Sequence, residues 1–183
     1  MNYILVLNEY DYLNYYLYTT SNSQKFNSRK IRGWLICILT TFAVLYIYYS
    51  NDGSDVILFF VGGMVVVTIS YPFYLKWRYR SHFKSQIREK LSERLGVDTI
   101  LTLDDGHIKV TSELNDVKIR VANIMGICEI KQNLFIKLKG GDALIIPKED
   151  VLFDVNHFKD ALKKEMNNEK IDVDWVVDEK WKW

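Results

Sequence analysis

The side chains best suited to catalysis or metal binding, histidine and cysteine, lie far apart in this sequence. The three histidines, His82, His107 and His157, have none of the spacings that place two ligands on one metal ion. Of the two cysteines, Cys37 lies in an apolar run and Cys128 in a strand-like stretch. These contexts favour reduced thiols, with a redox pair as the alternative. We therefore expect no metal and no cofactor.

The other segments that resemble reactive motifs are better explained as turns. Asp104 and Asp105 precede a glycine between two strand-like segments, which is typical of a hairpin turn rather than of an acid/base pair. The "KGGD" of residues 139–142 also separates two such segments, which favours a turn over a phosphate loop. The sequence has no GxSxG, Walker or GxGxxG motif. We predict no catalytic residues and a protein that is not an enzyme.

Basic residues near the apolar runs are the first candidates for a binding role. Four of them follow the second run and suit either contact with anionic lipid head groups or simple anchoring by charge. They are Lys76, Arg78, Arg80 and Lys84. Lys148, which follows a proline, is a further candidate for a head-group contact, the alternative being a solvated loop charge.

The Trp-rich end of the chain, residues 171–183, is the second candidate. It contains three of the five tryptophans, Trp175, Trp181 and Trp183. Three interpretations are open: this tail packs on its own sheet, contacts the membrane interface, or docks to a protein partner. Its acidic residues disfavour close approach to anionic lipid, since like charges repel.

Two apolar runs, residues 33–49 and 56–75, have about the length that crosses the roughly 30 Å hydrocarbon core of a bilayer. From Gly33 to Leu75 there is no Lys or Arg, and the charges in this range are Asp52 and Asp55 in a short polar linker. The sequence therefore predicts a transmembrane hairpin over residues 33–75. The alternative is a pair of buried helices in a soluble core.

Charge also predicts the orientation of this hairpin. Lys25, Arg29, Lys30 and Arg32 precede the first run, and the basic cluster that begins at Lys76 follows the second. By the positive-inside rule, both flanks are cytoplasmic and the linker lies outside. Both termini are therefore expected in the cytoplasm.

Hydrophobic periodicity predicts the elements of the cytoplasmic part. Residues 1–32 fit a strand and a helix capped at Asn8, and residues 76–97 fit a juxtamembrane amphipathic helix. Residues 98–170 show short alternating strands and then a helix that Asn156 is placed to cap. An antiparallel sheet closed by a C-terminal helix is the outline of a pleckstrin-homology-like domain.

Four segments follow one another in an order that is found in a known family. They are an N-terminal strand with "NEYDYLNYYLY", the basic "SRKIR" before the apolar runs, "LTLDDGHIKV", and "ALIIPKEDV" before the last helix. In this order they resemble the YcxB-like family of small bacterial membrane proteins, with "IIPKEDV" the most specific piece. The chain departs from the family at Val121, where a tryptophan is common. The resemblance implies a fold and no catalytic role.

Together these features predict an α+β membrane protein in which a two-helix transmembrane hairpin is inserted in a cytoplasmic PH-like antiparallel sheet with a C-terminal helix. The expected function is that of a non-enzymatic inner-membrane protein with a cytoplasmic interaction or regulatory module. The alternatives are an immunity protein against a membrane-acting bacterial toxin and an anionic-lipid-binding membrane protein. Expected partners are the lipid bilayer and a protein, with a homo-oligomer left open. The net charge of +1 gives no support to nucleic-acid binding.

Overall fold

The chain forms two compact units. The computed structural model describes residues 2–50, 54–149 and 153–177, with side chains for all of these except 48 and 54–60. Among the described residues, the sheet unit combines residues 2–16 with residues 83–177, and the helical unit consists of residues 17–82. The chain therefore leaves the sheet unit after residue 16 and returns to it at residue 83.

The first sheet of the sheet unit is antiparallel and contains the N-terminal strand. Its strands lie in the order β1 (Asn2–Val6), β2 (Asp98–Asp104), β3 (His107–Ser112) and β4 (Asp116–Arg120). β1 pairs with β2 along its whole length, so the predicted N-terminal strand is confirmed. The β2–β3 connection is the predicted hairpin turn, in which Asp105 and Gly106 both have the positive φ that a type I′ turn requires.

The second sheet combines a three-stranded meander with a short strand from the Trp-rich tail. Its strands are β5 (Ile124–Glu129), β6 (Asn133–Leu138), β7 (Ala143–Pro147) and β8 (Asp174–Val176), in the order β7-β6-β5-β8. The β6–β7 turn coincides with the "KGGD" segment. β8 pairs in parallel with β5, with Trp175 opposite Ile127. For these three residues, the tail packs on its own sheet.

Four α-helices occur in the described part of the chain. They are α1 (Glu9–Asn22), α2 (Gln24–Ser50), α3 (Ser54–Lys90) and α4 (Val155–Asn168). Asn8 caps α1 as predicted, because its side-chain oxygen accepts from two backbone N–H groups of the first turn. The cap predicted for the last helix is wrong: Asp154, two residues before Asn156, accepts from the first-turn N–H groups of α4.

The apolar core lies between the two sheets, and α4 closes one end of it. The ring of Tyr3 on β1 meets Phe158 of α4 edge-on at 5.3 Å, and its hydroxyl lies 2.8 Å from Nδ1 of His157. Glu165 of α4 accepts from the backbone N–H of Gly106 at 3.1 Å. All these contacts lie at the end of the first sheet that carries the β2–β3 turn. α4 therefore leaves uncovered the opposite end of the first sheet, where β1 ends and β2 begins.

The structure corrects the predicted fold class. Among the described residues only α2, over Gln24–Ile47, is long and apolar enough to span a bilayer, so a two-helix transmembrane hairpin is not shown. The second apolar run belongs to α3, which continues unbroken into polar sequence up to Lys90. The tip of the predicted linker, residues 51–53, lies outside the described residues.

Two further parts of the fold prediction are wrong. The predicted single antiparallel sheet is replaced by two four-stranded sheets, one of which contains the parallel pair β5–β8. The helix predicted over residues 76–97 is the end of α3, followed by a 3-10 turn at Ser92–Arg94. The apolar repeat continues to Leu95, but the helical hydrogen-bond ladder does not, and Gly96 then turns the chain with a positive φ.

Candidate functional site

A cleft opens at the end of the sheet unit opposite α4. Its volume is about 650 Å³, within the roughly 300–1,000 Å³ that is typical of ligand sites. It forms where β1 ends, β2 begins and β3 turns into β4, with the β6–β7 turn on its other side. The mouth of a two-sheet barrel is a common place for binding, because strand ends leave part of the apolar core accessible.

The floor of the cleft is apolar, and its rim carries a small number of polar groups. The floor includes half-buried side chains that also pack on the core, namely Leu7, Val110, Ile119, Leu138 and Leu144. Arg94 and Asp142 are the charged residues of the rim, and Asn115 lies with them. Arg94 is exposed and forms no ion pair with a described residue. This combination suits a ligand or partner that buries apolar groups and is oriented by polar contacts at the edge.

One wall of the cleft consists of tyrosine rings from α1. Tyr12, Tyr15 and Tyr16 all line it, because the spacing i, i+3, i+4 places them on one face of the helix. The Tyr15 ring packs against Phe135 at 5.4 Å, and Tyr16 lies parallel to Phe83 at 5.5 Å. Burial raises the pKa of the Tyr12 hydroxyl, and the nearby charge of Arg94 opposes this only in part. The wall is therefore an aromatic surface whose rings are held by packing against Phe135 and Phe83.

A buried polar network fixes the orientation of α1. Asn133, fully buried at the start of β6, donates to Asp11 Oδ1 at 2.6 Å and accepts from Asn14 Nδ2 at 2.8 Å. Asp11 also accepts from the backbone N–H of Asn8 at 2.9 Å, so one carboxylate links the helix cap to the second sheet. Because each of these buried groups has a partner, the network stabilises a single placement of the tyrosine wall.

Lys148 lies in a buried ion-pair cluster. Its Nζ is 2.6 Å from Oε1 of Glu129 and donates to the carbonyl oxygen of Ile130 at 3.1 Å. Lys159 of α4 donates to the same Glu129 oxygen at 2.5 Å. Burial raises the pKa of Glu129, but the hydrogen bonds and charges of the two lysines more than offset this, so the pKa lies below its ordinary value of 4.5. The position of Lys148 is thus explained by a contact inside the sheet unit.

The other predicted basic residues fall into two groups. Lys76, Arg78 and Arg80 are exposed on the part of α3 that belongs to the helical unit. Lys84, further along α3, belongs to the sheet unit, where its Nζ lies 5.8 Å from the centre of the Tyr10 ring. The first three are therefore available for an external anion, whereas Lys84 has an internal contact.

One of the three predicted tryptophans lies in the described part of the chain. Trp175 in β8 packs against the core, and Nζ of Lys163 lies 5.0 Å from the centre of its ring. Trp181 and Trp183 lie outside the described residues. The structure therefore assigns Trp175 to the sheet unit's own packing.

Helices α2 and α3 contact each other within the helical unit. The ring of Phe26 meets Tyr79 edge-on at 4.9 Å, and Nε1 of Trp34 donates to the carbonyl oxygen of Thr68 at 3.4 Å. Along α2 the residue numbers of these contacts rise, and along α3 they fall. The two helices are therefore antiparallel, with a defined register.

The apolar surface of α2 is exposed. No part of its apolar window is buried, and Leu39, Phe42 and Tyr46 are 66%, 65% and 76% exposed. An apolar helix in the core of a soluble protein is mostly covered by its neighbours. A large continuous apolar surface marks contact with a membrane or with another protein.

The described residues contain no arrangement suited to a metal ion and no disulfide bond. No group of three or more His, Cys, Asp or Glu side chains in this part of the chain is placed to hold a metal ion. Cys37 and Cys128 form no disulfide. The residues that the structure brings together in the cleft are mainly tyrosines and aliphatic side chains, with Arg94 and Asp142 as the charged residues.

Comparisons of the chain with protein-family models, with curated proteins and with solved structures found no match. The resemblance to the YcxB-like family stays a prediction. The argument for function therefore depends on the geometry of the two units.

Sequence reasoning missed the cleft and both buried polar networks. A partial signal was present on α1, where Asp11 and Asn14 share a helical face beside the tyrosine spacing of residues 12, 15 and 16. Polar side chains at that spacing indicate an anchoring face. Asn133, their partner, stands in an ordinary turn-like "KQN" and carries no such signal.

Proposed function

We propose that this protein is a non-enzymatic protein anchored to the bacterial inner membrane through its helical unit, and that its sheet unit is a cytoplasmic interaction or regulatory module. The observation that carries the proposal is the exposed apolar surface of α2. Burial of such surface is worth about 25 cal/mol per Å². Left in water, the same surface would promote aggregation.

Strand pairing supports the placement of both termini on one side of the membrane. β1 precedes α2 and β2 follows α3, yet the two strands are hydrogen-bonded neighbours. The segment that contains α2 and α3 must therefore begin and end on the same side of the membrane. Basic residues flank the apolar part of this segment at both ends. By the positive-inside rule, that side is the cytoplasm.

A cleaved signal sequence does not explain α2. Removal of α2 with the residues before it would also remove β1, which is a strand of the first sheet and carries the buried core residues Tyr3 and Leu5. A signal peptide is dispensable for the mature fold, and this segment is not. A permanent anchor therefore suits the structure better.

The cleft supports the interaction role. Tyrosine and arginine are enriched in protein–protein contacts, where they combine apolar burial with directional hydrogen bonds. The wall of Tyr12, Tyr15 and Tyr16 with Arg94 at the rim has this composition. An immunity protein that binds a membrane-acting toxin would be one module of this kind, and it stays a prediction.

Membrane anchoring is tested by fractionation of cells that express the full chain. We expect the protein in the carbonate-resistant membrane fraction, and we expect Leu39→Lys with Phe42→Lys to move most of it out of that fraction. The matched control is Met125→Lys, which charges an exposed apolar residue of the sheet unit. A wild-type chain that is monodisperse in buffer without detergent would overturn the proposal.

Orientation and the cleft need separate measurements. Tags at both termini should resist protease in intact spheroplasts and be cleaved after lysis. A photo-crosslinking residue at Tyr16 should capture a protein that the same residue at exposed Lys118 does not, and Leu144→Glu in the cleft floor should abolish that crosslink. Equal crosslinking from both positions would contradict the role of the cleft.

A further inference from the structure

We propose that one end of the α2–α3 pair binds the head groups of anionic phospholipids. The site, termed the basic belt, consists of Lys25, Arg29, Lys30, Arg32, Lys76, Arg78 and Arg80. The inference rests on the proposed function, because it names the lipid class that the anchored helices select.

The register of the helix pair assembles the basic belt from two distant segments. Phe26 lies against Tyr79, and Trp34 contacts Thr68. Because the helices are antiparallel and each rises about 1.5 Å per residue, residues around 29 on α2 lie level with residues around 76 on α3. Two clusters about 45 residues apart in sequence therefore form one belt around the same level of the pair.

The stretches of α2 and α3 that contain and border the basic belt have no acidic side chain. Residues 24–50 and 56–88 contain no Asp or Glu. None of the seven cations forms an ion pair with a described residue, and all are exposed except Lys30, which is half-exposed. Seven like charges held at one level repel one another, so an external anion at this level is favourable.

The position of the basic belt favours lipid over a soluble anion. It borders the apolar window of α2 directly, since Arg32 is followed by the uncharged run that begins at Gly33. Trp77, 68% exposed, lies among the cations of the basic belt on α3, and Trp34, 46% exposed, lies where the apolar run of α2 begins. Exposed tryptophans beside an apolar helix are typical of the membrane–water interface, where lipid phosphates lie. Lysine and arginine at that depth bind anionic leaflets.

The test measures which lipid lies next to the basic belt. The full chain is placed in nanodiscs of phosphatidylglycerol and phosphatidylcholine, with one of the two lipids brominated on its acyl chains. Trp175, Trp181 and Trp183 are replaced by phenylalanine, so that quenching reports on Trp34 and Trp77. We expect the relative affinity for phosphatidylglycerol to be about fivefold or more, the ratio that one well-placed cation gives. It should fall towards one as salt rises from about 0.1 M to about 1 M.

Matched variants separate the basic belt from total charge. The belt variant combines Lys76→Gln, Arg78→Gln and Arg80→Gln and should lose most of the preference. The control variant removes the same charge from exposed lysines of the sheet unit, with Lys118→Gln, Lys131→Gln and Lys164→Gln, and should keep it.

Each other outcome overturns a defined statement. Equal quenching by the two brominated lipids, or a preference that survives in the belt variant, overturns the basic belt and leaves the membrane anchor standing. Quenching by neither lipid overturns the anchor itself. Binding of soluble polyglutamate without any lipid preference would assign the belt to an acidic protein partner. If the phenylalanine background does not fold, native mass spectrometry of the otherwise unaltered chain measures which lipid is retained.

Discussion

Helices α4 and α2 both carry many apolar residues and expose them to opposite extents. In α4 the stripe of Val155, Phe158, Leu162 and Met166 is buried against the two sheets. In α2 the apolar residues lie all round the helix and are mostly exposed. The difference teaches that periodicity, rather than apolar content, decides which helix folds onto a protein core.

The polar and charged residues of the sheet unit and of the helical unit also differ, in whether they have partners within their own unit. In the sheet unit, the buried side chains of Asn133 and Glu129 have partners within the unit. The cations of the helical unit have no internal acidic partner among the described residues. This difference is what the proposed membrane anchor and basic belt would explain, since a bilayer with anionic lipid supplies both apolar contact and negative charge.

The largest effect on the stability of the sheet unit is expected when Phe158 is replaced, and Phe42 provides the matched comparison. Phe158→Ala should destabilise the sheet unit by about 3–5 kcal/mol, because it leaves a cavity under α4. Phe42→Ala should change the same stability by less than about 0.5 kcal/mol, since Phe42 is exposed on α2. Hydrogen exchange of the β5 and β6 amides during urea unfolding of the full chain in nanodiscs measures both. Similar losses would break the comparison between the two helices.

The next effect concerns the polar network that orients α1. Asn133→Leu should cost about 3 kcal/mol, because the buried Asp11 carboxylate loses its 2.6 Å hydrogen bond and the Asn14 amide loses the shorter of its two. The same unfolding measurement applies, with Asn168→Leu at an exposed position as its control. A loss below about 1 kcal/mol would show that water replaces the amide and that the network does not fix α1.

A third prediction concerns the contact between α2 and α3. A Cβ at Gly33 would collide with the hydroxyl of Tyr71, whereas no atom of the described side chains lies within 4 Å of a Cβ at Gly62. Gly33→Leu should therefore weaken the helix pair by about 1–3 kcal/mol through overpacking, and Gly62→Leu should not. Electron–electron distance measurements between spin labels at Leu35 and Ile69 should broaden in the first variant alone. An unchanged distribution would contradict the register on which the basic belt depends.

The smallest effect is a pH dependence of the sheet unit. The folded-state pKa of Glu129 lies below its ordinary value of 4.5. Its contribution to stability is therefore present above pH 4.5 and is lost as the pH falls through the lower folded-state pKa. The melting temperature of the sheet unit should fall in that range, and Glu129→Gln should remove this part of the decline. An unaltered pH profile in the variant would show that other carboxylates cause the acid sensitivity.

Local signals were sufficient for several elements of the fold. The Asp105–Gly106 turn, the Asn8 cap and the N-terminal strand depend on side chains close in sequence or on a simple alternation, and the structure has all three. Where two local signals competed, sequence reasoning failed. At α4 both Asp154 and Asn156 are good caps, and the choice depends on where the helix packs.

The prediction of two membrane spans shows another limit of reasoning from sequence composition. The second apolar run was defined by its composition, but α3 joins it without interruption to a basic, polar segment. A helix does not end where its hydrophobicity ends, so a composition window does not give the bounds of a span. The parallel pairing of β8 with β5 was likewise invisible, because it joins segments about 50 residues apart.

The sequence by itself determined where the apolar and charged residues lie, that the chain has no familiar catalytic motif, and that a turn falls at Asp105–Gly106. These depend on composition and short spacing, which the chain order contains directly. The tertiary structure alone decided the cleft, the Asp11–Asn133 contact and the assembly of the basic belt. Each depends on residues tens to more than a hundred positions apart, and only the packing of helices and sheets brings such residues together.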